Sequence, residues 1–382
     1  MNFELTPIQK EHREEFKTFV KKELLQQANE YDKTGAIPRE LIQKLGAAGY
    51  LGATIPETYG GRGMDQVSYG LLNEEIGRAC SSTRSLITVH SSLTAETILR
   101  WGTKDQKDQW LPQLASGIKL AAFGLSEPEA GSDAGSITTS YQEGTGAYIL
   151  NGLKKWITFS QIADLFVIIA QGAKGITAFL VERDTPGLTI RPLDGMLGTR
   201  ASMLGEIHLN NCTVPAENIL GRPGWGLQQI VSTALDNGRY SVACGSLGIA
   251  RACLEDSIDY VRTRSQFGRL LKDHQLIKQK IANMATEVKA TSLMCRNAGY
   301  LRDKKDPDSI IQTTLAKYHA SRIANTVASD AVQLHGAIGC HDSMPIQRYF
   351  RDARIMEIIE GTTEIQQIII ADHSIASLSS IL

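Results

Sequence analysis

Apolar positions are spaced differently in three parts of the chain. In residues 6–119 they recur every three or four positions, as Phe16, Phe19 and Val20 do, and this spacing predicts amphipathic helices. In residues 120–223 they alternate, which predicts strands, and from residue 224 the helical spacing returns. The pattern therefore predicts an α+β protein with an N-terminal helical domain (1–119), a middle β domain (120–223) and a C-terminal helical bundle (224–382).

Helix boundaries in the first part are marked by capping residues. Thr6 followed by Pro7 is typical of an N-cap with proline at the first helical position. Pro38 opens another helix, which should stop near the glycines of 46–49, and helical spacing resumes over 67–98. We expect these helices to be scaffold.

Five short segments of the middle part are rich in β-branched and aromatic residues. Strands are predicted at 137–141, 148–150, 165–169, 176–181 and 206–209. Residues 144–146 (Gly-Thr-Gly) and Asn151-Gly152 have the composition of hairpin turns. Strands without helices between them predict a small antiparallel barrel or sandwich. No GxGxxG joins a strand to a helix, so a Rossmann domain is not expected.

Four helices are predicted in the last part. Their apolar stripes cover about 227–261, 277–288, 311–334 and 365–378, and a charged loop at 303–308 separates the second from the third. Short connections make sequential helices antiparallel neighbours, which predicts a four-helix bundle.

Composition excludes several classes of partner. Forty basic and 41 acidic residues leave a net charge of -1, so no bulk charge favours nucleic acid or a membrane surface. The six cysteines form no CxxC pair and indicate reduced cytoplasmic thiols, and the eight histidines show no metal-ligand spacing. Residues 1–5 lack the features of a signal peptide, and no apolar run reaches the roughly 18 residues of a membrane span.

Glu360 is the residue with the clearest chemical potential. It follows Ile358-Ile359, and apolar neighbours raise the pKa of a carboxyl group by desolvation, which suits a general base. Gly361 would allow close approach of a ligand, and Thr362 could cap the helix that follows. The alternative is a glutamate at an ordinary capped junction between a loop and a helix.

Five sequence blocks occur in an order that is typical of one family. They are GLSEPEAGSD at 124–133, KWIT at 155–158, RSQFG at 264–268, QLHGAIG at 333–339 and EGTTEIQ at 360–366, the last preceded by Arg351-Asp352. Together they resemble the acyl-CoA dehydrogenase family, and the resemblance covers essentially the whole chain. A looser match, IPETYGG at 55–61, lies in the N-terminal third.

The resemblance implies FAD-dependent α,β-dehydrogenation of an acyl thioester. Glu360 would take the α-proton and flavin N5 the β-hydride, while the Glu360 backbone N–H and a ribityl hydroxyl polarise the thioester carbonyl. Electrons would pass to an electron-transferring flavoprotein, or to oxygen in an oxidase relative. Arg264 and Gln266 resemble the pair that holds the FAD of a neighbouring subunit, which implies a homo-oligomer, either a dimer or a tetramer.

The family's cofactor contacts can be carried over residue by residue. They fall on Phe123, Leu125, Ser126, Gly131, Ser132, Trp156, Ile157, Thr158, Arg264, Gln266, Phe267, Gln275, Gln333, Leu334, Gly336, Ala337, Thr362 and Glu364. Trp156 offers a flat surface to the flavin ring, and Thr158 a hydroxyl near N5. Ala337 is a small departure, because the family usually has two glycines there.

Substrate contacts implied by the resemblance fall on Ser132, Asp236, Arg239, Gly361 and Arg84. Asp236 and Arg239 match the segment that lines the thioester and pantetheine path, although they could equally form an ordinary surface ion pair at i,i+3 spacing. In some branches the base stands where this chain has Gly238, which cannot abstract a proton, and the role therefore goes to Glu360.

Arg84 lies in an otherwise small and apolar stretch. In the glutaryl-CoA branch an arginine in a similar place meets the free carboxylate of the substrate, as a guanidinium can do bidentately. The acidic residue that accompanies it there is absent here, with Gly77 near its place, which puts glutaryl substrates in doubt. The alternative is a surface or interface arginine paired with Glu74 or Glu75.

Three functions are therefore considered. The first is a dehydrogenase of acyl-CoA, and the second is a relative that oxidises a polar or carboxylated acyl unit tethered to an acyl-carrier protein. The third is a flavin-free interaction protein on the same scaffold, which would be colourless when purified, whereas the enzyme would be yellow.

Overall fold

The computed structural model describes residues 4–376. Residues 1–3 of the N-terminal segment that lacks signal-peptide features lie outside the described residues. So does Leu378, the predicted end of the last helix. Within residues 4–376 the predicted fold class is confirmed: helices precede and follow a middle region of two β-sheets.

Seven α-helices form the N-terminal region. They are α1 (Pro7–Glu23), α2 (Ala28–Thr34), α3 (Arg39–Ala47), α4 (Gln66–Ala79), α5 (Ser81–Ile87), α6 (Glu96–Trp101) and α7 (Lys104–Ala115), with a π-helical segment (Thr88–Ala95) between α5 and α6. The predicted cap is confirmed, because Thr6 Oγ1 accepts a hydrogen bond from the Gln9 backbone N–H at 3.3 Å. Gln9 Oε1 accepts in return from the Thr6 N–H at 3.0 Å, which completes a capping box.

The middle region contains two four-stranded sheets. Its strands are β1 (Ala121–Gly124), β2 (Ser140–Glu143), β3 (Ala147–Ile157), β4 (Leu165–Ala170), β5 (Thr177–Glu182), β6 (Leu188–Pro192), β7 (Gly205–Pro215) and β8 (Ile219–Leu220). One sheet has the order β1-β4-β5-β8 and the other β2-β3-β7-β6. Buried residues of both sheets, such as Phe166, Phe179, Leu150 and Ile207, share one apolar core.

The sheets differ from the prediction in three respects. β1 pairs with β4 in parallel, with Ala121 opposite Leu165, whereas we predicted only antiparallel pairs. A parallel pair is possible here because the chain crosses the other sheet before it returns as β4. β1, β6 and β8 were not predicted as strands. The Asn151-Gly152 hairpin turn is wrong, because both residues lie inside β3 at a bulge.

The bundle region contains five α-helices within residues 224–376. They are α8 (Ser232–Thr263), preceded by a π-helical segment (Gly226–Val231), then α9 (Gln275–Asp303), α10 (Ser309–His335), α11 (Ile346–Met356) and α12 (Thr363–Ala376). A short hairpin of β9 (Ser265–Gln266) and β10 (Arg269–Leu270) joins α8 to α9. The four long helices were predicted, and α11 was not.

Short 3₁₀ turns complete the described secondary structure at Glu57–Tyr59, Ala134–Ser136, Arg200–Ser202, Ala216–Asn218, Leu271–Asp273 and Gly336–Cys340. Among the helices of residues 4–376, none is both long and apolar enough to cross a membrane. All six cysteines lie in this range and are free thiols.

Helices α4 and α8 cross with their backbones almost in contact. A Cβ added to Gly77 of α4 would lie 2.9 Å from both Cα and the carbonyl oxygen of Gly245 on α8. A Cβ added to Gly245 would in turn lie 2.7 Å from the side chain of Arg84. Glycine at both positions is therefore what allows α4, α8 and the Arg84 side chain to share this space.

Candidate active site

Glu360 lies in the turn between α11 and α12, and its carboxylate points into the protein. The residue keeps partial exposure, but Oε2 is buried and has no hydrogen-bond partner among the described residues. The carboxylate packs against Gly238 of α8, where an added Cβ would overlap Oε2 and lie 2.6 Å from Cδ. The predicted desolvation of this carboxylate is confirmed.

The backbone at Glu360 is held in an uncommon conformation. Glu360 has φ 56° and Gly361 has φ 91°, and the first of these is a region that side chains rarely adopt. Such strain persists only where the surroundings enforce it, and it is frequent at functional sites. Thr362 caps the helix that follows, as predicted, because its Oγ1 accepts from the Ile365 N–H at 3.4 Å.

Three side chains fix the carbonyls of this turn. Arg239 Nε donates to the Glu360 oxygen at 3.2 Å, and Lys317 Nζ donates to the Gly361 oxygen at 2.7 Å. Gln366 Nε2 lies between them and reaches both oxygens, at 3.2 Å and 3.1 Å. Sequence reasoning found Arg239 but missed Lys317 and Gln366.

Burial and three cations set the protonation of Glu360. Burial raises its pKa to about 7, against the opposing charges of Arg239, Lys317 and Arg84. Burial lowers the pKa of Lys317 to about 8 and that of Arg84 to about 10, so both cations persist at neutral pH. Glu360 is thus poised to accept a proton near pH 7.

Arg84 is a buried cation without a carboxylate partner in the described residues. Its side chain is 1% exposed, Nη1 donates to Thr88 Oγ1 at 2.8 Å and Nη2 to Ser85 Oγ at 3.2 Å. Nη2 also lies 3.3 Å from Met356 Sδ, and Nε has no partner. The alternative of a surface arginine paired with Glu74 or Glu75 is wrong.

Glu74 and Glu75 are already paired elsewhere. Both bind Arg251 of α8, and the Arg251–Glu75 distance is 2.9 Å. No side chain at position 77 could serve Arg84 either, because of the close crossing of α4 and α8. The described residues therefore give this guanidinium hydroxyl partners but no directly bonded carboxylate, and the carboxylates that act on it from a distance are Glu360 and Asp352.

Asp236 and Arg239 do not form the surface ion pair that the alternative proposed. Asp236 Oδ2 binds Arg302 Nη1 at 2.5 Å, and Arg239 is turned toward Glu360. Asp236 Oδ1 is buried and has no partner in the described chain, so it can still accept a hydrogen bond from a ligand. Both residues lie on α8, within about one helical turn of Gly238.

Residues of the predicted flavin site in the middle region lie side by side. The Lys155 backbone N–H donates to the Ser126 oxygen at 2.9 Å, which places the 124–133 segment next to the strand that carries Trp156. Trp156 has φ 65° and is 50% exposed, which presents its ring to the outside of the sheet. Phe123 and Ile157 are buried in the two cores, so Ile157 can offer a ligand only its backbone.

A buried ion pair that was not predicted supports this segment. Lys154 Nζ lies 2.7 Å from Glu127 Oε1 and donates to the Leu125 oxygen at 3.0 Å, and both side chains are almost fully buried. Glu127 also accepts from the backbone N–H groups of Thr138 and Thr139, at 2.6 Å and 2.9 Å. These bonds lower the pKa of Glu127 to about 2 despite its burial and tie the loop to β3.

The remaining cofactor candidates gather at the far end of α8 and α10. Phe267, at the tip of the β9–β10 hairpin, is 94% exposed, and His274 packs its ring against Phe267 and lies 3.2 Å from the Gln266 oxygen. Tyr260 stacks on His335, which brings the hairpin and the 333–337 segment together. Arg264, Gln266, Gln275, Gln333, Gly336 and Ala337 are exposed, whereas Leu334 is buried in the core.

This hairpin is separate from the middle region within one protomer. Inside residues 4–376 no hydrogen bond, ion pair or ring contact joins 264–268 to the sheets. The structure therefore groups the predicted residues into three sets: the turn at Glu360, the segments near Trp156, and the hairpin end of the bundle.

Comparison with known proteins decides the family. Three family models match in succession: the acyl-CoA dehydrogenase N-terminal domain over residues 6–118, the middle domain over 122–212 and the C-terminal domain over 224–375. The protein of Bacillus subtilis named Probable acyl-CoA dehydrogenase YngJ is 41% identical over 97% of this chain and 99% of its own length. The chain belongs to the acyl-CoA dehydrogenase family.

Other members of the family are nearly as similar. The mouse (Mus musculus) short-chain specific acyl-CoA dehydrogenase of mitochondria is 39% identical over 96% of this chain and 90% of its own length. The structure of butyryl-CoA dehydrogenase from Megasphaera elsdenii superposes with a TM-score of 0.95 at 36% identity, covering 98% of this chain and 100% of that one. Since these relatives are acyl-CoA dehydrogenases, the chain is an enzyme of this class, and the non-catalytic alternative is set aside.

Two further similar structures have names that specify a different acyl group or a different carrier from those of the relatives above. A glutaryl-coenzyme A dehydrogenase in complex with glutaryl-CoA has a TM-score of 0.94 at 34% identity, covering 98% of this chain and 97% of that one. The prolyl acyl carrier protein oxidase AnaB has a TM-score of 0.92 at 30% identity, covering 97% and 99%. The fold is therefore shared by proteins named for both carriers.

The family is FAD-dependent, and the residues near Trp156 fit a flavin. The ring of Trp156 is exposed, and the hydroxyls of Ser126, Ser132 and Thr158 make no hydrogen bond within the described chain. A Cβ added to Gly131 would meet nothing within 4 Å, so the loop leaves open space beside those hydroxyls. A flat apolar surface with unused donors at its edge is suited to an aromatic ring with polar edges.

Proposed function

We propose that the enzyme catalyses FAD-dependent α,β-dehydrogenation of an acyl thioester, with Glu360 as the base. Glu360 removes a proton from Cα, a hydride leaves Cβ, and a carbon–carbon double bond forms between them. When bound, FAD supplies the acceptor for the hydride, and Trp156 and Thr158 would hold its ring. An electron-transferring flavoprotein is proposed as the final acceptor.

The observation that carries this proposal is the state of the Glu360 carboxylate. Oε2 is buried without a hydrogen-bond partner in the described chain, and burial raises the pKa of the group to about 7. A structural carboxylate at this depth would be paired, as Glu75 and Glu127 are. An unpaired buried carboxylate is best explained by a partner that arrives with the substrate.

The positive charges around Glu360 also support the reaction. Removing the α-proton leaves negative charge on the thioester oxygen, and stabilisation of that charge is usually the largest contribution to such a step. Arg84 and Lys317 are buried, Arg239 is half-buried, and all three cations act on a single carboxylate. When Glu360 takes up the proton its own charge disappears, so the cations then favour the enolate.

The reaction can be tested on the purified holoenzyme. The protein should be yellow, and anaerobic addition of butyryl-CoA should bleach the visible absorption of the flavin and yield the α,β-unsaturated thioester. Mass spectrometry of the thioester after incubation in deuterium oxide would report exchange at Cα independently of the hydride step. A yellow protein that neither bleaches nor exchanges with any thioester in a chain-length series would contradict the proposal.

We propose further that the acyl unit carries a negative charge at its far end. Arg84 has hydroxyl partners but no carboxylate partner, and Gly77 leaves no room for one. Burying an unpaired guanidinium is costly unless an anion neutralises it in the working complex. A carboxylate on the acyl unit would meet Arg84 bidentately, beside the Thr88 and Ser85 hydroxyls, which themselves donate to backbone oxygens.

Replacing Arg84 by methionine tests this substrate class. We expect kcat/KM for succinyl-CoA or glutaryl-CoA to fall about 100-fold, in line with a charged hydrogen bond worth about 1.5–3 kcal/mol. The value for butyryl-CoA should fall by a clearly smaller factor, because the loss of one of the three cations near Glu360 acts on every thioester alike, and steady-state rates on the matched thioesters would give both numbers. An equal loss of kcat/KM on both kinds of thioester would contradict the proposed contact between Arg84 and a substrate carboxylate. It would leave the dehydrogenase assignment intact.

A carrier-protein substrate is the second candidate. The Arg84 guanidinium, which binds hydroxyls but no carboxylate among the described residues, and the similarity to a protein named as an acyl carrier protein oxidase both favour it. The same acyl unit should be offered on CoA and on a phosphopantetheinylated carrier protein, and the two kcat/KM values compared. If kcat/KM is about 100 times higher or more with the carrier protein, the carrier-protein substrate is supported. If it is higher with CoA by the same factor, acyl-CoA is the substrate.

Assembly into a homo-oligomer is also proposed. Arg264, Gln266 and the exposed Phe267 belong to a projecting hairpin that, among residues 4–376, makes no hydrogen bond, ion pair or ring contact with the middle region of its own protomer. A guanidinium on such a hairpin is suited to the pyrophosphate of FAD bound by a neighbouring copy.

A further inference from the structure

Lys317 is a buried cation whose partner is a backbone carbonyl. Its side chain is 0% exposed in the middle of α10, and Nζ donates to the Gly361 oxygen at 2.7 Å. Within residues 4–376 no ion pair joins Lys317 to an acid, whereas the other fully buried lysine, Lys154, is paired with Glu127. Burying an ammonium group is costly, so a charge kept at this place needs a reason.

The bond from Lys317 acts on the turn that carries the proposed base. Gly361 follows Glu360 directly, and both have positive φ. Lys317 holds the Gly361 oxygen from α10, Arg239 holds the Glu360 oxygen from α8, and Gln366 links the two. With both carbonyls fixed, the Glu360 side chain and its backbone N–H have one defined direction, which proton abstraction requires.

The charge of Lys317 acts on the same group. The charged residues that face Glu360 are Arg239 on α8, Lys317 on α10 and Arg84 on α5. Lys317 itself is faced by Glu360, Arg239, Glu357 and Glu364. Burial raises the pKa of Glu360, and a neighbouring cation opposes that rise because it stabilises the ionised form.

We propose that Lys317 is a positioning residue for the base: it holds the turn of Glu360 and Gly361 from α10, and its charge favours the ionised form of the Glu360 carboxylate. The proposal rests on Glu360 being the base, as proposed above. It assigns Lys317 two separable contributions, one through its hydrogen bond and one through its charge.

Two substitutions separate these contributions. Lys317→Gln keeps a donor but removes the charge, and Lys317→Met removes both. Exchange at Cα of butyryl-CoA in deuterium oxide would be followed against pH on the holoenzymes, with the thioester below KM so that the profile reports the free enzyme. Exchange requires ionised Glu360 and therefore rises with pH through its pKa. In both variants the midpoint should move up by about one pH unit, and exchange at the acidic end should fall about 10-fold.

Loss of the hydrogen bond from Lys317 should be visible in the exchange rate at high pH, separately from loss of its charge. Lys317→Met should also lower the plateau at high pH about 10-fold or more, because the turn is less well fixed, whereas Lys317→Gln should keep most of it. Lys289→Gln is the matched control, because Lys289 is an exposed residue of α9 and the substitution changes the net charge equally. It should leave midpoint and plateau unchanged.

The outcomes distinguish the two proposals. If Glu360→Gln abolishes exchange but both Lys317 variants keep the wild-type midpoint, the role of Lys317 is overturned and the base assignment stands. If exchange survives in Glu360→Gln, the base assignment fails. If neither neutral variant retains FAD, Lys317→Arg is the deciding variant, because it keeps the charge. An unchanged midpoint of its pH profile supports the proposal, and a shifted midpoint overturns it.

Discussion

Replacing Glu360 with glutamine is expected to leave FAD bound and to lower exchange of the α-proton by about 10³-fold or more. Glutamine preserves the shape of the side chain but cannot accept the proton, and a positioned general base contributes about 10²–10⁴-fold. The measurement is deuterium incorporation at Cα by mass spectrometry, together with flavin content from visible absorption. Since a neutral amide replaces a buried group whose pKa is near 7, stability near neutral pH should change little.

The control for this variant is Asp372→Asn, which removes an exposed carboxylate of α12 that belongs to none of the candidate sites. It changes the net charge equally and should keep exchange within about twofold of the wild type, since surface substitutions have small effects. Exchange at the wild-type rate in Glu360→Gln would show that another group removes the proton.

Replacing Gly238 with alanine should lower kcat about 100-fold without lowering stability in proportion. The added Cβ would overlap Glu360 Oε2 and come within 2.9 Å of Leu93 Cδ2, so the carboxylate must move. A displacement of about 1 Å at a reacting group can cost about 10²-fold. Helix propensity alone would favour alanine over glycine in α8 by about 1 kcal/mol, which offsets part of the strain.

Steady-state kinetics and thermal unfolding of the same preparation test this expectation. Gly135→Ala is the comparison, because a Cβ there would meet only Asp133 Oδ1 at 3.5 Å and Leu227 at 3.9 Å, both ordinary contacts. If Gly238→Ala retains full activity, the carboxylate can work from another position, and its contact with Gly238 does not fix the base.

The fold followed from the sequence wherever a local pattern carried it. The long helices and the Thr6 cap have strong periodic or capping signals and were predicted. The segment 137–141 does not form a strand throughout, because the N–H groups of Thr138 and Thr139 donate to the Glu127 carboxylate, and β2 begins only at Ser140. That diversion depends on a residue 11 positions away, which no local pattern reveals.

Gly152 shows how a correct local observation led to a wrong element. Asn-Gly is the commonest hairpin signal, but here a Cβ at 152 would lie 2.6 Å from Cα of Thr139. The glycine serves close packing of a neighbouring segment and not a turn. The parallel pairing of β1 with β4 was equally inaccessible, because a strand of four residues leaves its partner to tertiary contacts.

At the site, the residues proposed to take part in the reaction could be predicted from the sequence. The residues that hold them in position could not. Glu360, Arg239 and Arg84 occur in recognisable blocks, whereas Lys317 lies within an ordinary helical stretch. One signal was present: Lys317 stands on a face of small residues, with Thr313, Ala320 and Ser321 at helical spacing, where a solvated lysine is not expected. Its target, a backbone oxygen 44 positions away, is visible only in three dimensions.

The near contact of α4 with α8 limits how this enzyme could be redesigned. An acid placed at position 77 to neutralise Arg84 would need its Cβ 2.9 Å from the backbone of Gly245, so the two helices would have to be pushed apart. A single substitution at this helix crossing is therefore not expected to change the acyl specificity of the enzyme. A mutant library aimed at new acyl groups is better directed at Thr88, Ser85 and Met356, whose side chains touch the guanidinium and can be varied without shifting a helix axis.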